Sequence, residues 1–148
     1  MIKKRTQTEL AYHVTVTRQD DAHARAETRD HALTLNILKG SGEAGFNAAE
    51  TLLSALGACL LTNVNAISQK MRLQLDAARI EIDGKRLDEP PALTEIRYRM
   101  ILSSNEPPEK LQELADLCFK WGTVTNTLAN GLIPQGMLVI ENSAHQGA

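Results

Sequence analysis

Aromatic side chains are nearly missing from this chain. Phe, Tyr and Trp make up 3% of its 148 residues, with a single tryptophan. Any core must therefore be built mostly from Leu, Ile, Val, Ala and Met. Cysteine is as scarce: Cys59 and Cys118, 59 positions apart. Two thiols at that separation make no disulfide framework. There is no CxxC, HxxxH or HExxH pattern, and His13, His23, His31 and His145 share no ligand spacing, so neither a metal nor another cofactor is expected. An excess of one charge is lacking too, since 16 Lys and Arg face 18 Asp and Glu for a net charge of −2. Without a dominant basic patch, nucleic acid is not expected as a partner. Lys3, Lys4 and Arg5 read as a frayed basic terminus. The longest apolar run, around residues 52–61, falls short of the ~20 residues of a membrane span, and no secretory apolar region opens the chain. The expectation is a cytoplasmic protein with free thiols and no membrane partner.

What is present fits an ordinary globular domain, with 43% apolar and 23% charged residues. One domain over 1–148 is expected, with 1–8 and 143–148 as flexible ends. "ELAYHVTVT" (9–17) alternates apolar and polar residues and predicts a strand. After the turn "RQDD", "AHARAETR" (22–29) and "HALTLNIL" (31–38) predict two more, in an antiparallel meander. "KGSGEAGF" (39–46) predicts a loop. Asn47 then suits a helix N-cap, with Glu50 three residues later as in a capping box. The helix should run to about Lys70. Its opening, from Leu52 to Leu61, is apolar on nearly all sides, which predicts a central buried helix.

Two charged-alternating strands come next, at 76–87 and 93–104, around the turn "DEPP". Pro107 and Pro108 open a second helix, with Leu111, Leu114, Ala115, Cys118 and Trp121 on its apolar stripe. "TVTNTLANG" (123–131) predicts a short helix ending at Gly131, and "GMLVIEN" (136–142) a final strand. The order βββ-α-ββ-α-(α)-β contains no βαβ alternation, so the fold class is α+β.

Chemistry must come from the cysteines or from polar neighbours. Periodicity alone reads both thiols as small core side chains, and Arg25 as a solvated strand charge. A nucleophilic thiol needs a cation beside it, which spacing cannot supply. The segment "NAAETLLSALGAC" (47–59) resembles the signature of the OsmC/Ohr family, the osmotically inducible and organic hydroperoxide resistance proteins. "RAETRDHALTL" and "VTNTLANGLIP" resemble two further family segments in the same order, so the resemblance spans roughly residues 10–142. It implies antiparallel sheets packed around the central helix in an intertwined homodimer. It also implies Cys59 as the peroxidatic cysteine, Arg25 as the cation that stabilises its thiolate, and Glu50 as a candidate acidic partner of Arg25. In the hydroperoxide-resistance branch the glutamate position is Ala49 here, and Glu50 serves either as in other branches or only as the helix cap.

The departures bear on turnover. Gly122 stands where the family carries its resolving cysteine, and Thr123 replaces the proline after it. Cys118, four residues earlier, is a candidate substitute, provided the geometry has shifted. His23, Thr123, Thr125 and Asn126 are lesser candidates for the same cleft, and Trp121 reads as a core or dimer-interface anchor. The expected function is a thiol-dependent peroxidase for organic hydroperoxides, with one catalytic cysteine and an external thiol reductant, in oxidative stress defence. The alternatives are a non-catalytic relative that binds a small apolar ligand or senses oxidants stoichiometrically, and a structural domain with inert thiols.

Overall fold

A computed structural model describes residues 7–141. Its elements are β1 (Thr15–Arg18), β2 (His23–Thr28), β3 (His31–Asn36), α1 (Ala48–Met71), β4 (Ala77–Asp88), β5 (Pro91–Ser103), α2 (Pro108–Lys120) and α3 (Thr123–Asn130). The class is α+β, as expected. The strands form a three-stranded sheet in the order β1-β2-β3 and a two-stranded sheet of β4 and β5. The first sheet is an antiparallel meander, in which Thr17 faces Arg25 and Arg25 in turn faces Thr34.

The described residues divide into two compact units, one of 7–58 with 79–101 and one of 59–78 with 102–141. The first holds the three-stranded sheet, the opening of α1 and most of the β4–β5 hairpin. There Ala24 is 2% exposed and Leu56 is 4% exposed. The opening of α1 passes close to the hairpin at two glycines. A Cβ on Gly57 would stand 3.3 Å from Ile82, and one on Gly84 would stand 3.2 Å from Leu53. The hairpin's outer face is laced by ion pairs, with Glu81 taking both Arg79 and Arg99, and Glu95 taking both Lys85 and Arg97. Its apolar alternates Ile80, Ile82, Ile96, Tyr98 and Met100 are half-buried. This is the one-sided sheet that the alternation predicts.

The second unit holds the rest of α1 with α2 and α3. Leu60, Val64, Leu114 and Cys118 are its most enclosed side chains. The Asn63 amide joins α1 to α2 by donating to the Cys118 carbonyl at 2.9 Å.

Three expectations are corrected. The N-terminal strand begins at Thr15 rather than residue 9, and no regular structure forms at 7–14. The final strand expected at 136–142 does not form over 136–141, while Asn142 lies outside the described residues. In both segments the alternation is real, but among the described residues no neighbouring strand takes up the backbone N–H and C=O groups. The central helix is also not buried all round. The chain encloses one stripe of it, Leu56, Leu60, Val64 and Ser68, and leaves Leu52 40% exposed. Among the described residues, the flanking positions Leu53, Gly57, Cys59, Leu61 and Asn63 are only half-buried. Of the ends expected to be flexible, residues 1–6 and 143–148 lie outside the described residues.

Candidate active site around Cys59

α1 begins where the sequence says it should, and the cause is visible. The Glu50 N–H donates to the Asn47 side-chain oxygen at 2.9 Å, and the Asn47 N–H donates back to the Glu50 carboxylate at 3.2 Å. This reciprocal capping box satisfies two helix-end donors. Three turns along, Cys59 carries a free, half-buried thiol. Facing its sulfur is Gly122, the residue between α2 and α3. A Cβ built on Gly122 would lie 3.0 Å from Cys59 Sγ and 3.3 Å from the Thr125 methyl, and inside van der Waals contact with Thr125 Oγ1. No side chain fits at 122 without moving Thr125.

Thr125 is fixed where it stands. It is 2% exposed, and its hydroxyl lies 2.7 Å from the Phe119 carbonyl and 2.9 Å from the Gly122 carbonyl. Those carbonyls belong to the chain as it leaves α2, so Thr125 satisfies the helix's open end. The nearby Thr123 and Asn126 are exposed. The Thr123 carbonyl accepts from the Thr127 hydroxyl, and the Asn126 amide donates to the Lys120 carbonyl.

The second cysteine sits in a different environment. Cys118 is fully enclosed on the inner stripe of α2, and burial pushes its thiol up to about 11. Only roughly one molecule in ten thousand would carry the thiolate at neutral pH. That counts against Cys118 as a substitute resolving thiol. Trp121 is a correction to the core reading. It is 63% exposed just past the end of α2, with the Lys120 ammonium 5.3 Å from its ring centre.

Arg25 lies on β2 with its guanidinium half-exposed, and its Nε donates to Glu27 at 2.9 Å. Glu27 is a residue that the sequence reading missed. The signal was there, because positions 25 and 27 share one face of a strand. Glu50 spends one carboxylate oxygen on the capping box. His23 is half-buried, with Nδ1 2.9 Å from Asp20 Oδ1. The Ala22 N–H and the His23 side chain, donating to Asp20, hold that carboxyl below the usual range. Among the described residues, no three His, Cys, Asp or Glu side chains cluster to hold a metal.

The site is a half-buried thiol on a long helix, in an α+β chain of two antiparallel sheets. A model of the family described as OsmC-like protein matches residues 40–134. The chain belongs to that family. It is similar to a hydroperoxide reductase of Mycoplasma genitalium, at 28% identity over 121 residues, covering 79% of this chain and 86% of that protein. The crystal structure of an OsmC-like protein from Mycoplasma pneumoniae superposes with a TM-score of 0.76 at 23% identity, over 82% of this chain and 89% of that one. The organic hydroperoxide resistance protein OhrB of Bacillus subtilis shares the fold at a TM-score of 0.58 and 12% identity, over 82% and 93% of the two chains. By length and composition alone, α1 would also pass for a membrane span. Its enclosed stripe and the hydrogen bond from its Asn63 amide to the Cys118 carbonyl instead make it a core helix of this fold.

Proposed function

We propose that this chain is a thiol-dependent peroxidase that reduces organic hydroperoxides through Cys59, in a one-cysteine cycle completed by an external thiol. The observation that carries the reading is Cys59 itself, a free, partly accessible thiol facing a glycine. Family membership and the hydroperoxide reductase relative support a peroxide-related stress function.

In the first half of the cycle Cys59 attacks the terminal peroxide oxygen as thiolate. The O–O bond breaks, and the alkoxide leaves as the alcohol after taking up a proton. Cys59 becomes a sulfenic acid. One external thiol condenses with it, releasing water and forming a mixed disulfide. A second thiol attacks that disulfide and restores Cys59.

Arg25 is the proposed cation beside the thiolate, with Glu27 as its ion partner and Glu50 as a second acidic candidate. A guanidinium is permanently charged, so it favours the thiolate at any working pH. Consumption of cumene hydroperoxide with a small dithiol as reductant tests the reading. Turnover should vanish in Cys59→Ser, and a sulfenic acid should be trapped at Cys59 in the wild type. Absence of both in the wild type would sink it. The pH profile of Cys59 alkylation tests the cation. Its midpoint should rise in Arg25→Ala, and an unchanged midpoint removes Arg25 from the mechanism.

Gly122 and the buried Cys118 favour a second reading, that of a stoichiometric oxidant sensor. It predicts oxidation of Cys59 without catalytic turnover. The working form proposed is a homodimer. Leu10, Tyr12, Val14, Val16, Leu132 and Ile133 are all more than half exposed, which suits two copies covering one another. A cytoplasmic location is proposed with it.

A further inference from the structure

We propose that the Thr125 hydroxyl accepts a hydrogen bond from the sulfenic acid formed on Cys59, and so holds the oxidised cysteine at the place where a resolving thiol would otherwise act. The inference rests on the peroxidase reading and gives a role to a residue that it leaves unassigned.

In a disulfide with an S–S bond of ~2.05 Å, the carbon bearing one sulfur lies about 3 Å from the other sulfur. A Cβ on Gly122 would lie 3.0 Å from Cys59 Sγ. The backbone at 122 is therefore where a bonding partner of Cys59 would be attached. That position is occupied in this chain, because Thr125 Oγ1 stands inside contact distance of the same point. A hydroxyl has taken the space that a second thiol would need.

The hydroxyl's orientation decides what it can do there. A threonine has one O–H proton and two lone pairs. Phe119 and Gly122 carbonyls at 2.7 Å and 2.9 Å compete for that proton. Toward Cys59 the oxygen thus presents lone pairs. A lone pair offers a thiolate nothing, but a sulfenic acid carries an O–H that can donate to it. In this assignment the oxygen that the peroxide delivers points from Sγ toward that hydroxyl. The interaction is gained only after oxidation, so Thr125 does not speed the attack. It slows the later loss of the sulfenic acid to a sulfinic acid by a second peroxide, which transfers one oxygen to the sulfur and leaves as the alcohol. Gly122 and Thr125 are both buried, and water competes poorly for the same acceptor.

The test tracks the sulfenic acid over time. Wild type, Thr125→Val, Thr125→Ala and Thr125→Ser are oxidised with an excess of cumene hydroperoxide, without thiol, so that a second peroxide is present for each sulfenic acid formed. Aliquots are quenched with dimedone and the Cys59 adduct is measured by mass spectrometry. The alkylation rate of reduced Cys59 is measured in parallel. Losing one neutral hydrogen bond should shorten the sulfenic lifetime roughly fivefold in the valine and alanine variants. The serine variant should keep the wild-type lifetime, and alkylation should be unchanged throughout. If the valine variant does not fold, the alanine and serine pair decides. Equal lifetimes across the set overturn the assignment. So does alkylation that accelerates in step with sulfenic loss, because that is loosened packing. A wild type that forms no sulfenic acid overturns the peroxidase reading and this assignment together.

Discussion

The two thiols look alike in the sequence, each on an apolar helical stripe. Cys118 keeps the packing role that its periodicity predicts: it is enclosed, and burial pushes its thiol up to about 11. A thiol raised above its ordinary value of 9.0 stabilises the fold below that value. The unfolded chain releases its proton first as pH rises, so this stability is lost between about 9 and 11. The contribution is roughly 2–3 kcal/mol at most. Urea midpoints should therefore fall across that range in the wild type, and fall less in Cys118→Ala. In native protein at pH 8, alkylation should label Cys59 and spare Cys118 until denaturant is added. Cys59 could not be separated from Cys118 by periodicity, because the residue that opens its environment, Gly122, lies 63 positions away in sequence. The pairing of Arg25 with Glu27 was legible in principle from strand alternation, but the family resemblance directed attention to position 50 instead.

At the scale of elements, α1 was the most legible part of the chain. Asn47 and Glu50 form the box that their spacing announces. Asn47→Ala should cost about 1 kcal/mol, read as a lowered urea midpoint with an unchanged slope. The hairpin of β4 and β5 was legible from charge alternation, and α3 from the glycine that ends it. Trp121 was misplaced because the helical stripe was extended one residue past the C-terminus of α2. The junction between α2 and α3 yields a sharper prediction. Gly122→Cys alone should be destabilising by roughly 1–3 kcal/mol, since its Cβ meets Thr125. Combined with Thr125→Ala, the same cysteine should form a disulfide with Cys59 on mild oxidation by a disulfide oxidant, seen as a mass loss of two hydrogen atoms and the disappearance of both free thiols. Failure of the double variant to crosslink would contradict the geometry at 122.

For the whole molecule, the fold class was legible in the order of elements, and the family match agrees with it. The two segments where a strand was expected and none forms, 9–14 and 136–141, mark the limit of single-chain reasoning. Alternation specifies which face of a strand is apolar, but a neighbour is needed to make it a strand. In the proposed homodimer that neighbour is the other copy, and light scattering should report twice the chain mass at micromolar concentration. Val16→Asp, on the exposed face of β1, should shift the population toward monomer. Loss of dimer without loss of helical signal would separate assembly from folding.

The uncovered flank of α1 and the apolar end segments have a further consequence. In the proposed homodimer, a chain that leaves Leu132 and Ile133 79% and 87% exposed would draw part of its stability from the other copy. Its melting temperature should then rise with protein concentration, as for any assembly whose partners bind only the folded form. Dilution becomes a denaturing variable: a sample stable at working concentration should unfold, or be cut by protease at its ends, at nanomolar levels. Tests of the proposed peroxidase activity that vary protein concentration over decades would then read loss of assembly as loss of activity, unless the oligomeric state is measured alongside.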